Sequence, residues 1–257
     1  MSFDIATLTL ETFLLVVVRT GCFVAIAPIF GHRSVNARLR ILIAACISLS
    51  VFSAFDVSLI QYDSVLGYTL LVIKEAVVGL SLGFVSSLVM SILVLAGEFI
   101  DREIGFTMVT TMGSTSGSMV TITSELYDKL VCLIMVITNL HYFILKAIAR
   151  SFEVIPLGNV KINPVYLYSG ILDCIIQYFS IGFRIAMPIF LGTTILNVIL
   201  GILSKSSPQM NMFAIGMQLK VLFGLIVLSM AILFVLNITN YMVEHMSNML
   251  SSLMGGF

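Results

Sequence analysis

Ionisable side chains are few in this chain, and several stand inside runs of apolar residues. Arg19 lies in Val16-Val17-Val18-Arg19-Thr20, Lys74-Glu75 interrupts a long hydrophobic segment, Arg184 precedes Pro188 by four positions, and Lys220 sits within another apolar run. One such charge costs about 2.5–3.5 kcal/mol near the middle of a bilayer, so these groups must face protein or a water-filled cavity. The chemistry open to them is ion pairing. Glu75, Gly79 and Gly83 recur at i, i+4 and i+8 with Ser86 near the same face, and Gly216, Lys220 and Gly224 repeat the spacing. Small residues at these intervals let a second backbone come close. That backbone belongs either to this chain's own bundle or to another subunit with the charges paired across the contact. Unpaired charges on so few helices favour the subunit contact.

Catalytic patterns are missing. There is no nucleophile elbow, phosphate-binding loop, dinucleotide fingerprint or H-E-x-x-H motif. His32, His141 and His245 are scattered without carboxylates at ligand spacing, and Cys22, Cys46, Cys132 and Cys174 stand far apart inside apolar runs. Such cysteines behave as small buried hydrophobes. The expectation is a chain that is not an enzyme and uses no metal or cofactor. Glu98 and Arg102 form an i, i+4 acid-to-base pair, which reads as the solvated end of a helix. Ser204-Lys205-Ser206-Ser207-Pro208-Gln209-Met210-Asn211 breaks the apolar pattern. Pro208 has no N–H and disfavours helix at Ser207, so a turn is expected there, or irregular backbone covered by protein or a water cavity.

The elements that carry these residues are membrane helices. Of 257 residues, 59% are hydrophobic and 10% charged, and the mean hydropathy is +1.12. A soluble domain carries about 25% charged residues. A net charge of zero offers no field for nucleic acid. A spanning helix needs about 20 mostly apolar residues. Six regions qualify: Leu8 to Phe30, Leu39 to Phe55, Val65 to Gly97, Leu130 to Ala149, Val165 to Leu203, and Phe213 to Tyr241. The fifth is long enough for a kinked span plus a partial one. Residues 1–257 therefore read as one all-α integral-membrane domain of about six long, partly kinked or broken helices. The N-terminus lacks a basic signal-peptide region, so the first run is expected to stay as an anchor. The loop from Gly31 to Arg40 holds three arginines and no acid and should be cytoplasmic, while the loop with Asp56 and Asp63 should lie outside.

Between the third and fourth regions runs Gly105-Phe106-Thr107-Met108-Val109-Thr110-Thr111-Met112-Gly113-Ser114-Thr115-Ser116-Gly117-Ser118-Met119. It is too rich in Gly, Ser and Thr for a firm helix and too dotted with Met and Val for an ordinary linker. On these features alone a secondary transporter for a small solute, with a midplane site at its broken fifth segment, stays open. So does a membrane scaffold without a pore.

Several stretches, in order along most of the chain, resemble one family. They are Ala27-Pro28-Ile29-Phe30 with Arg33-Ser34-Val35 and Arg38; Gly97-Glu98-Phe99-Ile100 with Gly105-Phe106; and Ile155-Pro156-Leu157-Gly158. The strongest is Leu200-Gly201-Ile202-Leu203, Ser207-Pro208-Gln209-Met210-Asn211-Met212-Phe213, then Ile215-Gly216-Met217-Gln218-Leu219-Lys220. Together they resemble FliR, a subunit of the flagellar protein export gate. Asn36 stands where many members have Pro, and Gly113-Ser114 where many have Asp-Pro. The Pro-Gln-Asn-Phe run is shared with the homologous subunit of virulence-type III secretion systems; Ile215-Gly216 looks more flagellar.

The resemblance implies one subunit of a hetero-oligomeric conical pore in the bacterial inner membrane, at the flagellar basal body. It implies partners of the FliP, FliQ, FlhB and FlhA types and unfolded flagellar proteins as cargo. It implies that residues 105–123 form a plug in the pore. Gly105, Phe106, Met108, Met112, Gly113, Gly117 and Met119 are its candidate residues, the methionines sealing without a fixed shape and the glycines letting the loop swing aside. Arg19, Glu75, Gly79, Gly83, Arg184, Gly216, Lys220 and Gly224 are the candidates for subunit packing and buried charge. Pro208, Gln209, Asn211 and Phe213 form the candidate helix break.

Overall fold

A computed structural model of the chain describes residues 2–31, 35–54, 62, 64–106, 110–112, 119–206, 212–232 and 235–257. Among them are eight helices: α1 (Ser2–Ile26), α2 (Ala37–Ala54), α3 (Val65–Ile104), α4 (Ile122–Ile137), α5 (His141–Val154), α6 (Pro164–Ser206), α7 (Met212–Ile232) and α8 (Val235–Met254). Two short strands, β1 (Thr110–Met112) and β2 (Met119–Thr121), lie between α3 and α4. Four of the helices, α1, α2, α3 and α6, are long and apolar enough to cross a membrane, and a fifth span arises if α4 and α5 count as one. The chain is an all-helical membrane protein with a small two-stranded ribbon.

The hydrophobic regions read from the sequence map onto these helices with three differences. The fourth region is broken, because Asn139 takes a left-handed conformation (φ 59°) and ends the helix after α4. The fifth is one helix that runs through Pro188. The sixth divides between α7 and α8, and the apolar part of α7, Ile215–Met230, falls short of a span.

The chain forms two compact units, whose boundaries fall inside α3, α6 and α8 and between α4 and α5. The first comprises residues 1–89, 139–175 and 243–257. Its core is made by Leu15, Phe23 and Val24 of α1, Val78 and Leu82 of α3, and Ile144 and Ile148 of α5, all essentially inaccessible to solvent. Hydroxyls in its apolar helices turn back on the backbone. Thr12 Oγ1 donates to the Leu8 carbonyl at 2.7 Å and Thr20 Oγ1 to that of Val16 at 2.8 Å. Such bonds satisfy a polar group where water is absent. Thr20 also meets Ser48 of α2 at 2.5 Å. The C-terminal tail closes on the start of α6: the Lys161 N–H donates to the Phe257 carbonyl at 3.1 Å.

The second unit comprises residues 90–138 and 176–242. Ile92, Leu93, Ile100 and Ile104 of α3, Tyr127 and Met135 of α4, and Ile189 of α6 are buried in it. The two strands pair antiparallel, with Thr110 opposite Thr121, Thr111 opposite Val120 and Met112 opposite Met119. β-branched threonine and valine suit this extended backbone. Residues 105–123 are therefore not loop throughout. Their flanks form a ribbon, and Ile122 and Thr123 already belong to α4.

Candidate functional site

Two buried polar clusters, one in each unit, hold Arg19, Glu75 and Asp101. In the first unit, Arg19 of α1 and Glu75 of α3 are both fully buried, and Nε of Arg19 donates to Oε2 of Glu75 at 2.6 Å. Nη1 donates to the carbonyls of Ser151 and Ile155 at 3.0 and 2.9 Å. These carbonyls lie at the end of α5, where the helix dipole favours a cation. The guanidinium carbon lies 4.4 Å from the centre of the Phe152 ring, a cation–π contact. Glu75 Oε1 accepts the N–H of Gly158 at 3.2 Å, and Gly158 holds a left-handed φ of 77° that favours glycine. Nη2 of Arg19 is buried without a hydrogen-bond partner among the described residues.

Glycine makes this pairing possible. A Cβ at Gly79 would collide with the Arg19 carbonyl, and one at Gly83 would stand 2.9 Å from the Phe23 carbonyl oxygen. The Glu75-Gly79-Gly83 stripe thus brings α3 against α1 of the same chain. Of the two contacts the sequence left open for Arg19, Glu75, Gly79 and Gly83, the structure shows the one within the chain's own bundle. The charges are satisfied internally, and the small residues are spent on the crossing that joins them.

The second cluster roots the ribbon. Asp101 of α3 is fully buried, and its Oδ2 accepts the Thr123 N–H at 2.7 Å while Oδ1 accepts the Thr123 hydroxyl. Thr123 is in the first turn of α4, whose residue Thr121 makes no side-chain cap of its own. A carboxylate from α3 therefore caps the orphaned N–H groups of α4 and meets the positive end of its dipole. Gly97, one turn earlier, admits this approach: a Cβ there would stand 2.7 Å from backbone atoms of Ser124. Ser124 Oγ donates to the Val94 carbonyl at 3.0 Å. At the other end of the ribbon, α3 stops at Gly105, which has φ 98° and donates its N–H to the Asp101 carbonyl at 3.0 Å. The last turn of α3 thus holds the start of α4, into which the second strand leads.

Residues 98–103 do close α3, with Arg102 exposed, but they are not solvated throughout. Helix α3 runs on to Ile104 with Asp101 inward, and Glu98 and Arg102 make no ion pair among the described residues. The sequence signal for Asp101 was its place four residues after Gly97 and three before Ile104, on an apolar face.

Of the plug candidates, Gly105 is exposed and Phe106 half-buried, and Met112 and Met119 are paired positions of the ribbon. Met108, Gly113 and Gly117 lie outside the described residues, as do Pro208, Gln209 and Asn211; Phe213 lies in the first turn of α7. Gly216 and Gly224 face side chains of Leu200 and Ile104 within the chain. Lys220 is half-buried and lines a cleft of about 400 Å³ with Arg102, Glu103, Asn197 and Gly105. Glu103 accepts the Thr193 hydroxyl at 3.3 Å. Arg184 is exposed. Neither Lys220 nor Arg184 makes an ion pair among the described residues.

In this arrangement one buried ion pair locks α1 to α3, and the ribbon leads into a helix capped by Asp101. The family model for bacterial export proteins, family 1, matches residues 10–246. The chain belongs to this family. Within it, the chain is 30% identical to the flagellar biosynthetic protein FliR of Bacillus subtilis over 93% of its own length and 94% of that protein's. FliR of Aquifex aeolicus is 29% identical, with 87% and 86% covered. FliR of Escherichia coli is 24% identical, with 80% and 78% covered. Membership of the FliR family places the internal ion pair, the Asp101 cap and the ribbon all inside the shared region of this export family.

Proposed function

We propose that the chain is a non-enzymatic subunit of the flagellar type III export gate in the bacterial inner membrane. It assembles with FliP and FliQ into the pore that passes unfolded flagellar proteins, beside FlhB and FlhA, and residues 105–123 plug that pore. The observation that carries this reading is the family match over residues 10–246 together with similarity to FliR along almost the whole chain. The named relatives are flagellar, which favours a flagellar over a virulence system.

The geometry supports the plug. A seal must hold against water and ions and yet yield to many polypeptides. Here a neutral segment, residues 113–118, joins two paired strands that carry Met112 and Met119 at the positions flanking it, and Asp101 of α3 holds the Thr123 N–H just beyond the second strand.

Two measurements test the reading. Pull-down of the full chain from membranes is expected to retain FliP and FliQ through size exclusion; a chain that runs alone sinks the assembly. Deletion of Met108–Ser118 is expected to leave assembly intact while ions leak through the resting gate. Unchanged conductance in the deletion strain would refute the plug.

A further inference from the structure

We propose that the groove beside Arg184 is the docking site of an apolar membrane helix from another protein, and that this helix carries a carboxylate that pairs with the Arg184 guanidinium. The inference rests on the multi-protein reading above and adds the chemistry of one contact.

Arg184 stands near the middle of α6, Pro164–Ser206, and is exposed. It is about 30 Å from either end of that helix at 1.5 Å per residue, inside a stretch apolar enough to cross a membrane. Its helical neighbours Phe183 and Met187 are exposed and apolar, so the guanidinium stands within an apolar face. Yet a bare guanidinium in lipid is unfavourable. Pro188, one turn on, has no N–H for the Arg184 carbonyl, so an acceptor is freed at the same place. Beside it lies an open groove of about 430 Å³ lined by Tyr127, Pro188, Ile189, Val227 and Met230. No carboxylate lines it among the described residues.

An apolar helix bearing one carboxylate meets both demands, covering the groove and neutralising the cation. A phospholipid meets them less well, because its phosphate lies at the membrane surface. A second copy docking through the same face would bring guanidinium against guanidinium.

The test is photo-crosslinking of the full chain in cell membranes, with p-benzoylphenylalanine in place of Met230, which is exposed in the groove. Adducts are mapped by mass spectrometry. The expected adduct falls on a membrane segment of another protein that holds Asp or Glu among apolar residues. Arg184→Gln should lower its yield about tenfold, as loss of a desolvated charge pair does, while Arg184→Lys keeps most of it. Exchanging the charges, with Arg184→Glu and the mapped carboxylate changed to Arg, should recover it. A probe at the exposed Leu42 of α2 reports folding and should not respond. Adducts to lipid only, to a second copy of this chain, to a segment without a carboxylate, or a yield indifferent to Arg184→Gln would each overturn the proposal. FliP and FliQ are followed in the same membranes. Retained partners without an Arg184-dependent adduct sink this docking site alone, whereas absent partners with the unaltered chain sink the export-gate reading as well.

Discussion

Arg19 and Glu75 show what a buried charge demands of its neighbours. Neither meets solvent, and their bond is backed by two α5 carbonyls, the Phe152 ring and the Gly158 N–H. Removing one partner leaves the other buried and unpaired, at about 3–5 kcal/mol. Glu75→Leu or Arg19→Leu should therefore lower the melting temperature of the detergent-purified chain sharply. The double variant Arg19→Leu/Glu75→Leu should melt above either single one; a double variant that melts below both would show that the pair is not coupled. Asp101 makes a similar case at the foot of the ribbon. Asp101→Ala strands the Thr123 N–H, worth about 1–3 kcal/mol. Hydrogen exchange at Thr123 and Ser124 should quicken, with Asp101→Asn intermediate because it keeps an acceptor. Equal protection in all three chains would mean that the cap contributes nothing.

At the scale of elements, glycine decides where helices meet. Gly79 and Gly97 stand where a Cβ would strike backbone of Arg19 and Ser124, and backbone cannot turn away as a side chain can. Gly201 of α6 has nothing within 4 Å of the same position. Gly97→Ala and Gly79→Ala should thus destabilise the isolated chain, whereas Gly201→Ala should be neutral or gain up to about 1 kcal/mol from helix propensity. Thermal unfolding in detergent ranks the three; similar shifts for all would remove the close-approach explanation. The motifs Gly97-Glu98-Phe99-Ile100 and Ile155-Pro156-Leu157-Gly158 acquire physical meaning here. Gly97 admits the N-terminus of α4, and Gly158 closes on Glu75.

At the scale of the whole molecule, apolar surface exceeds what the chain can cover alone. In the most apolar windows of α2 and α6 only 17% of residues are buried, against 56% in α3. Lipid can cover apolar helices, but not the exposed Arg184 among them. The chain reconstituted without partners in plain lipid vesicles should aggregate or fall to protease along α6, and co-expression with its membrane partners should protect those sites. Equal resistance in both preparations would show that the fold is sufficient by itself.

The sequence by itself determined the solvent, the class and the places of tension. Its hydropathy required a membrane, and Arg19, Glu75, Arg184 and Lys220 stood out because charge in an apolar run must be satisfied. The glycine spacing announced a close crossing. Only the tertiary structure decided what crosses what. Arg19 and Glu75 lie 56 positions apart, and nothing local in either run names the other or the α5 carbonyls between which the guanidinium fits. The Glu75-Gly79-Gly83 stripe is equally compatible with a foreign helix until α1 is seen against it. Asp101 looked like one charge among several at a helix end, because its role depends on α4 beginning at Ile122 after the ribbon turns back. Pairing and capping are contacts between distant segments, and periodicity along one segment carries no record of its partner.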